Sequence, residues 1–276
     1  MGNKAARIKE LYREGVLLDK IYSVIAGPFQ FTPKQETDNY SLSHINKGHD
    51  YDSIFTRQLG TNMIWAFEQL ALTNAFGQRS FYRHLDFAGG TGRIAAFIAD
   101  RCEEQYILDI SEKMLTVARK RLPNCNIICK DFNDKIPELD EIKFDLITAF
   151  RFFPNAEEKL RLQAIQFISS KLNKGGILVC NNHRNFWSLS YLFSRLTLKG
   201  GRTGMTHKQM LSLADSSGLE LVETYSMGVI PQTETKTAFF SWKITRVFED
   251  FIFKTSTKKH LMGYNIIYIF KKKRVE

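Results

Sequence analysis

The sequence predicts an α/β fold in which a mostly parallel sheet carries helices on both faces. From residue 81 onward, short apolar runs alternate with helical patterns, and this alternation is typical of parallel sheets with crossover helices. A glycine-dense turn at residues 88–92 directly follows the first apolar run. Two acidic residues, Asp109 and Asp131, follow later runs. Ligands of such sheets bind beyond the carboxyl ends of the strands, so these features predict a ligand site at that edge.

Apolar periodicity and its breaks assign the elements in order. Residues 81–87 predict the first strand, and residues 93–99 predict the helix after the glycine turn. Ser111 is the predicted N-cap of the next helix. Further strands are predicted at 105–110, 126–129, 144–150, 177–180, 219–227 and 263–270, and further helices at 112–121, 156–172, 186–198, 206–216 and 235–253.

Two helical patterns, at residues 4–25 and 52–72, precede the first strand. We therefore divide the chain into an N-terminal helical extension or lid at 1–78 and a main domain at 79–276, in which 184–262 includes helical insertions on the acceptor side. Tyr51 and Phe55 could close over a bound cofactor, although we favour core packing for both.

Composition bounds the class of protein and its partners. The chain has 276 residues, of which 43% are hydrophobic and 25% charged, which is enough apolar material for a substantial core. Its net charge of +10 favours anionic partners such as phosphates, nucleic acid or an anionic membrane surface. A solvated basic surface without such a partner is the alternative.

The four cysteines form no CxxC pair and have no metal-ligand spacing with histidine, so we predict no metal site. Cys125 and Cys129 flank an apolar run and are predicted to face the core. Unpaired core thiols suit a reducing compartment. The polar start lacks a signal-peptide pattern and no apolar run reaches the roughly 20 residues of a membrane span. We therefore predict a cytoplasmic protein that can also lie at the inner face of a membrane.

Two cofactors compete for the glycine turn. Residues 90–95 satisfy the dinucleotide pattern G-x-G-x-x-A. Asp86 precedes the turn, however, and its carboxylate would repel a pyrophosphate but would suit a ligand with an amino group. Asp109 lies about 20 residues further on, where a ribose-binding carboxylate is expected.

Residues 85–92 (Leu-Asp-Phe-Ala-Gly-Gly-Thr-Gly) resemble the first motif of class I S-adenosylmethionine-dependent methyltransferases, in which L-D-(L/F)-G-(C/G)-G-T-G is common. Residues 107–115, 130–132 and 144–147 are similar to the second, third and fourth motifs, and 172–178 to the turn before the fifth strand. The resemblance covers about residues 80–183, with five pieces in the family's order.

This resemblance implies an enzyme with a Rossmann-like seven-stranded methyltransferase sheet whose last strand is antiparallel, and S-adenosylmethionine as the cofactor. Asp86 and the backbone of the turn would face the amino-acid moiety of the cofactor, and Asp109 would hold the ribose. Asp131 and Phe132 would bind the adenine edge. The cofactor-binding set that the resemblance implies is Asp86, Ala88, Gly89, Gly90, Gly92, Asp109, Ile110, Asp131, Phe132 and Ala149. The chain departs from the family at Ala88, where glycine is usual, and at Lys174, where proline is usual.

The acceptor is predicted from the ends of the fourth and fifth strands. The family's Asn/Asp-Pro-Pro-Tyr motif for amino groups on bases or glutamine is absent. Arg151 could instead hold a phosphate, sulfate or carboxylate. His183 is the best-placed general base for an oxygen or nitrogen acceptor. We predict a small-molecule, sugar or lipid-linked acceptor; the alternatives are an RNA methyltransferase, or a non-catalytic basic binding protein that retains the fold.

The helix at 235–253 mixes large apolar residues with lysine and arginine. A basic amphipathic helix can lie on a membrane surface. The same pattern describes a helix whose apolar residues pack on the sheet while its charges face water, which is the interpretation we favour. No RNA-binding module accompanies the positive charge, so nucleic acid ranks below a small-molecule acceptor.

Overall fold

A computed structural model describes residues 52–191, 204–232, 237, 240–256 and 262–273. The predicted helix at 4–25, Tyr51, and most of the predicted helix at 186–198 lie outside these described residues.

The described elements are seven strands, seven α-helices and two short 3-10 helices at Ala99–Arg101 and Pro137–Leu139. The strands are β1 (Phe81–Phe87), β2 (Cys102–Asp109), β3 (Asn126–Cys129), β4 (Phe144–Ala149), β5 (Leu172–Asn182), β6 (Leu219–Met227) and β7 (Asn265–Lys272). The helices are α1 (Ser53–Arg57), α2 (Leu59–Phe76), α3 (Arg93–Phe97), α4 (Glu112–Arg121), α5 (Glu158–Lys171), α6 (His207–Asp215) and α7 (Trp242–Ser256).

The strands form one sheet in the order β3-β2-β1-β4-β5-β7-β6. β1, β2, β3, β4 and β5 pair in parallel, whereas β7 runs antiparallel to both β5 and β6. The predicted Rossmann-like methyltransferase sheet, with its antiparallel last strand, is therefore confirmed. The chain moves outward from β1 to β3 and then returns to place β4 on the other side of β1. This reversal of strand order opens a crevice at the carboxyl ends of β1 and β4.

The sheet is buried on both faces because apolar residues of its central strands pack against helices on each side. Leu85, Phe144 and Leu178 belong to one hydrophobic cluster with α5 and α6 residues. Leu146, Val179 and Ile267 belong to a second cluster, which includes residues of α2 and α3. Helices on both faces hold the strand ends in a fixed relation to one another.

Element boundaries differ from the predictions where local signals are weak. β2 begins at Cys102 rather than 105, and the predicted helix at 52–72 is interrupted at Gln58. Cys129, predicted to face the core, is exposed. The reason is its position on β3, the edge strand of the sheet, where only one residue of the strand is buried.

The apolar face of α7 points away from the protein. Ile244, Val247, Phe248 and Phe251 are 46%, 69%, 47% and 65% exposed. The helix contacts the fold through buried residues on its opposite side, including Phe253, whose ring lies 5.2 Å from that of Phe67 on α2. The expected arrangement, with large apolar residues inside and charges outside, is therefore not the one observed. No helix among the described residues has the length and apolar character needed to cross a bilayer.

Candidate active site

A cavity of about 280 Å³ opens at the carboxyl ends of the strands. One part is lined by the glycine turn and the residues that end β2 and follow β3. The other part is lined by residues that follow β4 and β5 and by the first turn of α2. The predicted site residues on its wall are Asp86, Ala88, Gly89, Gly90, Asp109, Ile110, Asp131, Phe132, Arg151 and His183.

The turn after β1 is shaped by one close approach and one left-handed residue. A Cβ atom on Gly89 would lie 2.8 Å from Cγ of Asp86 and 2.9 Å from its carbonyl oxygen, so only glycine fits there. Ala88 has a φ of 52°, a left-handed conformation that glycine adopts more readily. The chain nevertheless turns there with alanine, and the side chain lines the cavity.

Asp86 is buried beneath this turn. Its Oδ1 accepts a hydrogen bond from Thr148 Oγ1 at 2.7 Å, and its Oδ2 accepts one from the Ala95 amide at 3.2 Å. Burial raises the pKa of Asp86 to about 6, while these two hydrogen bonds oppose the rise. The Asp86 carboxylate thus accepts a hydrogen bond from an amide in the first turn of α3. An amide at that place would otherwise be available to bind a pyrophosphate.

A buried chain of hydrogen bonds supports Asp86 from the interior of the sheet. His84 Nε2 lies 2.8 Å from Thr148 Oγ1, and the Gln105 amide nitrogen lies 3.3 Å from His84 Nδ1. Burial lowers the pKa of His84 to about 3, so the ring is neutral. With Nδ1 accepting from Gln105, the ring donates to Thr148, which donates to Asp86. The orientation of the carboxylate is therefore set by a chain in which each donor meets an acceptor.

Asp109 closes β2 on the opposite side of the turn. Its Oδ2 accepts from the Gly90 amide at 2.9 Å and its Oδ1 from the Ser111 amide at 2.8 Å. Burial raises the pKa of this carboxyl group, and the two amides oppose the change. Each carboxylate oxygen has a second lone pair, so Asp109 can hold the turn and still accept hydrogen bonds from ligand hydroxyls.

Asp131 and Phe132 border the cavity beyond β3. Asp131 Oδ1 accepts from the backbone and side-chain amides of Asn133 at 2.9 and 3.0 Å, which fixes a tight turn. The Phe132 ring packs 5.1 Å from the ring of Phe87 and 6.2 Å from that of Phe152. The half-buried ring offers an apolar surface for a flat ligand group.

Two residues of the predicted cofactor set, Gly92 and Ala149, do not line the cavity. A Cβ atom on Gly92 would lie 2.9 Å from Ile107 Cδ1, and the φ of this glycine is 69°. It therefore serves the packing of the turn on the sheet. Ala149 is fully buried in the core because its side chain points into the helix layer on one face of the sheet.

The structure places Arg151 and His183 on the same cavity. Arg151 has a φ of 60°, which is strained for a residue with a Cβ atom. Its amide donates to Asn181 Oδ1 at 2.6 Å, and its carbonyl accepts from Asn155 Nδ2 at 2.6 Å. His183 is buried with Nε2 3.5 Å from Asn155 Nδ2. The Arg151 guanidinium lies 4.7 Å above the Phe55 ring.

Glu68 on α2 is a residue that sequence reasoning missed. Its buried carboxylate accepts from Asn181 Nδ2 at 3.2 Å, from Asn265 Nδ2 at 2.8 Å and from Arg93 Nη1 at 3.2 Å. Asn181 in turn supports the Arg151 backbone. A single acid inside a helix gives no sign of such a role, because two of its three partners, Asn181 and Asn265, lie more than a hundred residues away in sequence.

Gln232 also lines the cavity and was not predicted. The side chain is 4% exposed, and neither amide atom has a hydrogen-bond partner among the described residues. Ser190 Oγ accepts from its backbone amide at 3.1 Å. A buried amide without a partner is unfavourable, so a polar group brought near it would be stabilised.

These residues fit S-adenosylmethionine better than a dinucleotide. The absence of a side chain at Gly89 and Gly90 leaves the backbone open to a ligand, and carboxylates stand on both sides of the turn. Asp86 already occupies the Ala95 amide of α3, so a pyrophosphate there would meet a carboxylate. No group of three potential metal ligands occurs among the described histidine, cysteine and acidic residues.

Comparison with known proteins agrees with this geometry. Residues 85–176 match the family model described as a methyltransferase domain. A search of curated proteins found no match.

Solved structures with the same fold include several methyltransferases. A chain from the Haloferax volcanii complex of the methyltransferase activator Trm112 and a candidate methyltransferase is 16% identical, with a TM-score of 0.59 over 82% of this chain and 95% of that one. Magnesium protoporphyrin IX methyltransferase from Synechocystis PCC 6803, solved with S-adenosylmethionine, is 12% identical, with a TM-score of 0.54 over 87% of this chain and 99% of that one. N-methyltransferase NodS from Bradyrhizobium japonicum, solved with S-adenosyl-l-homocysteine, is 15% identical, with a TM-score of 0.51 over 81% and 98%.

At these identities the structural matches establish the fold, while the family match covers the glycine turn and three of the predicted motifs that follow it. The positions of the carboxylates and the glycine turn, and the order of the strands, are consistent with the family match and with the structural matches. Residues 85–176 therefore match a methyltransferase domain, and the described residues share the fold of solved S-adenosylmethionine-dependent methyltransferases.

Proposed function

We propose that this methyltransferase methylates an oxygen or nitrogen atom of a small-molecule, sugar or lipid-linked acceptor that carries an anionic group. The observation that supports this proposal is a single cavity with two kinds of wall. Asp86 and Asp109 lie on one part, and Arg151 and His183 on the other. A cofactor and an acceptor bound in one cavity would meet at its centre, as direct group transfer requires.

When bound, S-adenosylmethionine supplies a methyl group on a positively charged sulfur. The residues of the chain therefore need to bind the cofactor and the acceptor, align them with each other and exclude water. They do not need to activate the methyl donor. Asp86 would bind a cationic amino group, since a pKa of about 6 leaves its carboxylate ionised at neutral pH. Asp109 can accept from ribose hydroxyls while it holds the Gly90 amide.

Arg151 would bind the anionic group of the acceptor. A guanidinium stays charged at all physiological pH values and presents paired donors that match carboxylate and phosphate oxygens. The strained backbone of Arg151 is held by Asn181 and Asn155. A side chain that projects from a backbone fixed in this way is positioned before the acceptor arrives.

His183 would take the proton that the acceptor loses as it is methylated. An imidazole can act as the general base that accepts the proton of a hydroxyl or amine acceptor. Asn155 Nδ2 lies 3.5 Å from Nε2 and also donates to the Arg151 carbonyl. Asn155 thus couples the orientation of the base to that of the anion-binding residue.

Two measurements test this proposal. Calorimetric titration should show binding of S-adenosylmethionine and none of NAD, and binding of NAD alone would contradict it. Incubation of the protein with metabolite extracts and a radiolabelled methyl donor should then label a small, anionic product. Label recovered only in RNA would favour the RNA methyltransferase, and a protein that binds RNA or vesicles but no S-adenosylmethionine would favour the non-catalytic alternative.

A further inference from the structure

The outward face of α7 is a continuous apolar surface. Phe240 lies just before the helix, and Ile244, Val247, Phe248 and Phe251 follow at helical spacing. All five side chains are at least 44% exposed. The ring of Phe240 packs 5.6 Å from that of Phe248, so the stripe extends beyond the end of the helix. We use the name α7 stripe for these five residues.

Basic side chains flank the α7 stripe on one side. Lys243, Arg246 and Lys254 are exposed, and Asp250 is the one exposed or half-buried acid that the helix carries, paired with Lys254. The remaining acid of the helix, Glu249, points the other way and is buried. A bilayer with anionic headgroups is negatively charged at its surface and apolar beneath it. An apolar stripe bordered by cations is complementary to such a bilayer.

We propose that the α7 stripe and its basic flank dock this protein on an anionic lipid bilayer, with the helix lying parallel to the membrane surface. The apolar side chains would enter the boundary between headgroups and acyl chains, while the cations would contact anionic headgroups. The net charge of +10 adds long-range attraction to the same surface. A second copy of the chain is a poorer occupant, because symmetric pairing would bring the two basic flanks together.

Docking through α7 would bring the cavity close to the membrane. The buried Glu249 carboxylate accepts from the Gly228 amide at 3.0 Å and the Ile230 amide at 2.6 Å. The same segment continues to Gln232, which lines the cavity. The helix that would touch lipid is therefore bonded to the wall of the cavity, an arrangement that suits an acceptor delivered from the bilayer.

The test is co-sedimentation with vesicles of phosphatidylcholine alone and of phosphatidylcholine mixed with phosphatidylglycerol. We expect the protein to bind the mixed vesicles and to bind the neutral vesicles more weakly. Replacing Val247 and Phe251 with serine should weaken binding to the mixed vesicles by roughly tenfold or more, since it removes two apolar side chains that would insert into the bilayer. The control variant, Leu70→Ser with Leu162→Ser, removes two exposed leucines elsewhere and should bind like the wild type.

Charge is tested separately. The pair Lys243→Glu and Arg246→Glu should reduce binding several-fold, and the pair Lys113→Glu and Lys208→Glu, on α4 and α6, should have a smaller effect. Every variant should keep its thermal unfolding midpoint and its affinity for S-adenosylmethionine, so a loss of docking is separable from a failure to fold or to bind the cofactor.

Several outcomes would overturn the proposal: no binding to mixed vesicles, equal loss in the leucine control, or loss in the charge variants with none in the Val247 and Phe251 variant. A concentration-dependent dimer, seen by light scattering and abolished by that variant, would assign the stripe to self-association instead.

Discussion

Two residues with unusual backbone conformations mark the centre of the site. Among the described residues, Ala88 and Arg151 are the two non-glycine residues with positive φ, at 52° and 60°. They follow β1 and β4, the neighbouring strands between which the strand order reverses. Each conformation costs about 1–2 kcal/mol for a residue with a Cβ atom. Both residues lie on the wall of one cavity, and strained backbone of this kind clusters at functional sites.

At the residue scale, Asp109→Ala should weaken binding of S-adenosylmethionine by about tenfold or more. The substitution removes the proposed ribose contact and leaves the Gly90 and Ser111 amides without their acceptor. Calorimetric titration measures the effect. Asp140→Ala, an exposed acid away from the cavity, is the control and should bind normally. An unchanged affinity in Asp109→Ala would show that this carboxylate only shapes the turn.

Replacing His183 with alanine tests the general base. The rate at saturating acceptor should fall by roughly a hundredfold, a typical effect for removal of a positioned base. Affinity for S-adenosylmethionine should remain as in the wild type. A full rate would end this assignment.

At the scale of elements, the Glu68 carboxylate joins parts of the chain that are distant in sequence. It connects α2 to β5 through Asn181, to β7 through Asn265 and to α3 through Arg93. The ion pair with Arg93 is 3.2 Å long, and the side chains are 0% and 13% exposed. Because Asn181 also supports the Arg151 backbone, this network sets both the packing of α2 and one wall of the cavity.

Glu68→Gln should lower the free energy of unfolding by about 1–3 kcal/mol. The variant removes the negative charge that Glu68 presents to Arg93 and points an amide donor at groups that also donate. Urea unfolding measures the change. The matched control is Glu138→Gln, which removes the charge from an exposed pair with Lys130 and should leave stability nearly unchanged. Equal effects in the two variants would mean that the buried network contributes nothing beyond a surface pair.

At the scale of the whole molecule, the attachment of α7 makes stability depend on pH. Burial raises the pKa of Glu249 to about 7, well above its ordinary value of 4.5. The Glu249 carboxyl group therefore keeps its proton up to a higher pH in the folded protein than in the unfolded chain. This destabilising contribution is absent at pH values below the ordinary pKa, grows as the pH rises towards 7, and is constant above that.

We therefore expect Glu249→Gln to gain stability relative to the wild type as the pH rises. The glutamine does not titrate, so the difference in the free energy of unfolding should shift in its favour by up to about 3 kcal/mol between pH 4.5 and 8. The loss of one acceptor, for the Gly228 or the Ile230 amide, is a constant offset at every pH. Chemical unfolding at several pH values measures the difference, and parallel pH profiles would contradict it.

The positions of the strands along the chain and of the glycine turn could be predicted because they depend on local patterns. A buried parallel strand is a short apolar run, and the turn after it requires glycine where backbone and carboxylate approach closely, as at Gly89. Asp86, Asp109 and Asp131 were found because each follows a strand, and strand ends meet at one edge. Gly92 and Ala149 also lie near strand ends, but they face the packed interior. Spacing along the chain does not show whether a residue at a strand end faces the cavity or the interior.

The sequence by itself determined the class of fold, the glycine turn and the carboxylates near it, since strand periodicity, turn residues and the resemblance to methyltransferase motifs are all visible along the chain. Only the tertiary structure decided which face of α7 is covered, because a helix with apolar residues on several sides reveals its buried face only when its neighbours are known. It also decided the roles of Glu68 and Gln232. Their surroundings are assembled from strands and helices far apart in the chain, and hydrogen bonding inside a protein depends on that assembly rather than on the neighbours in sequence.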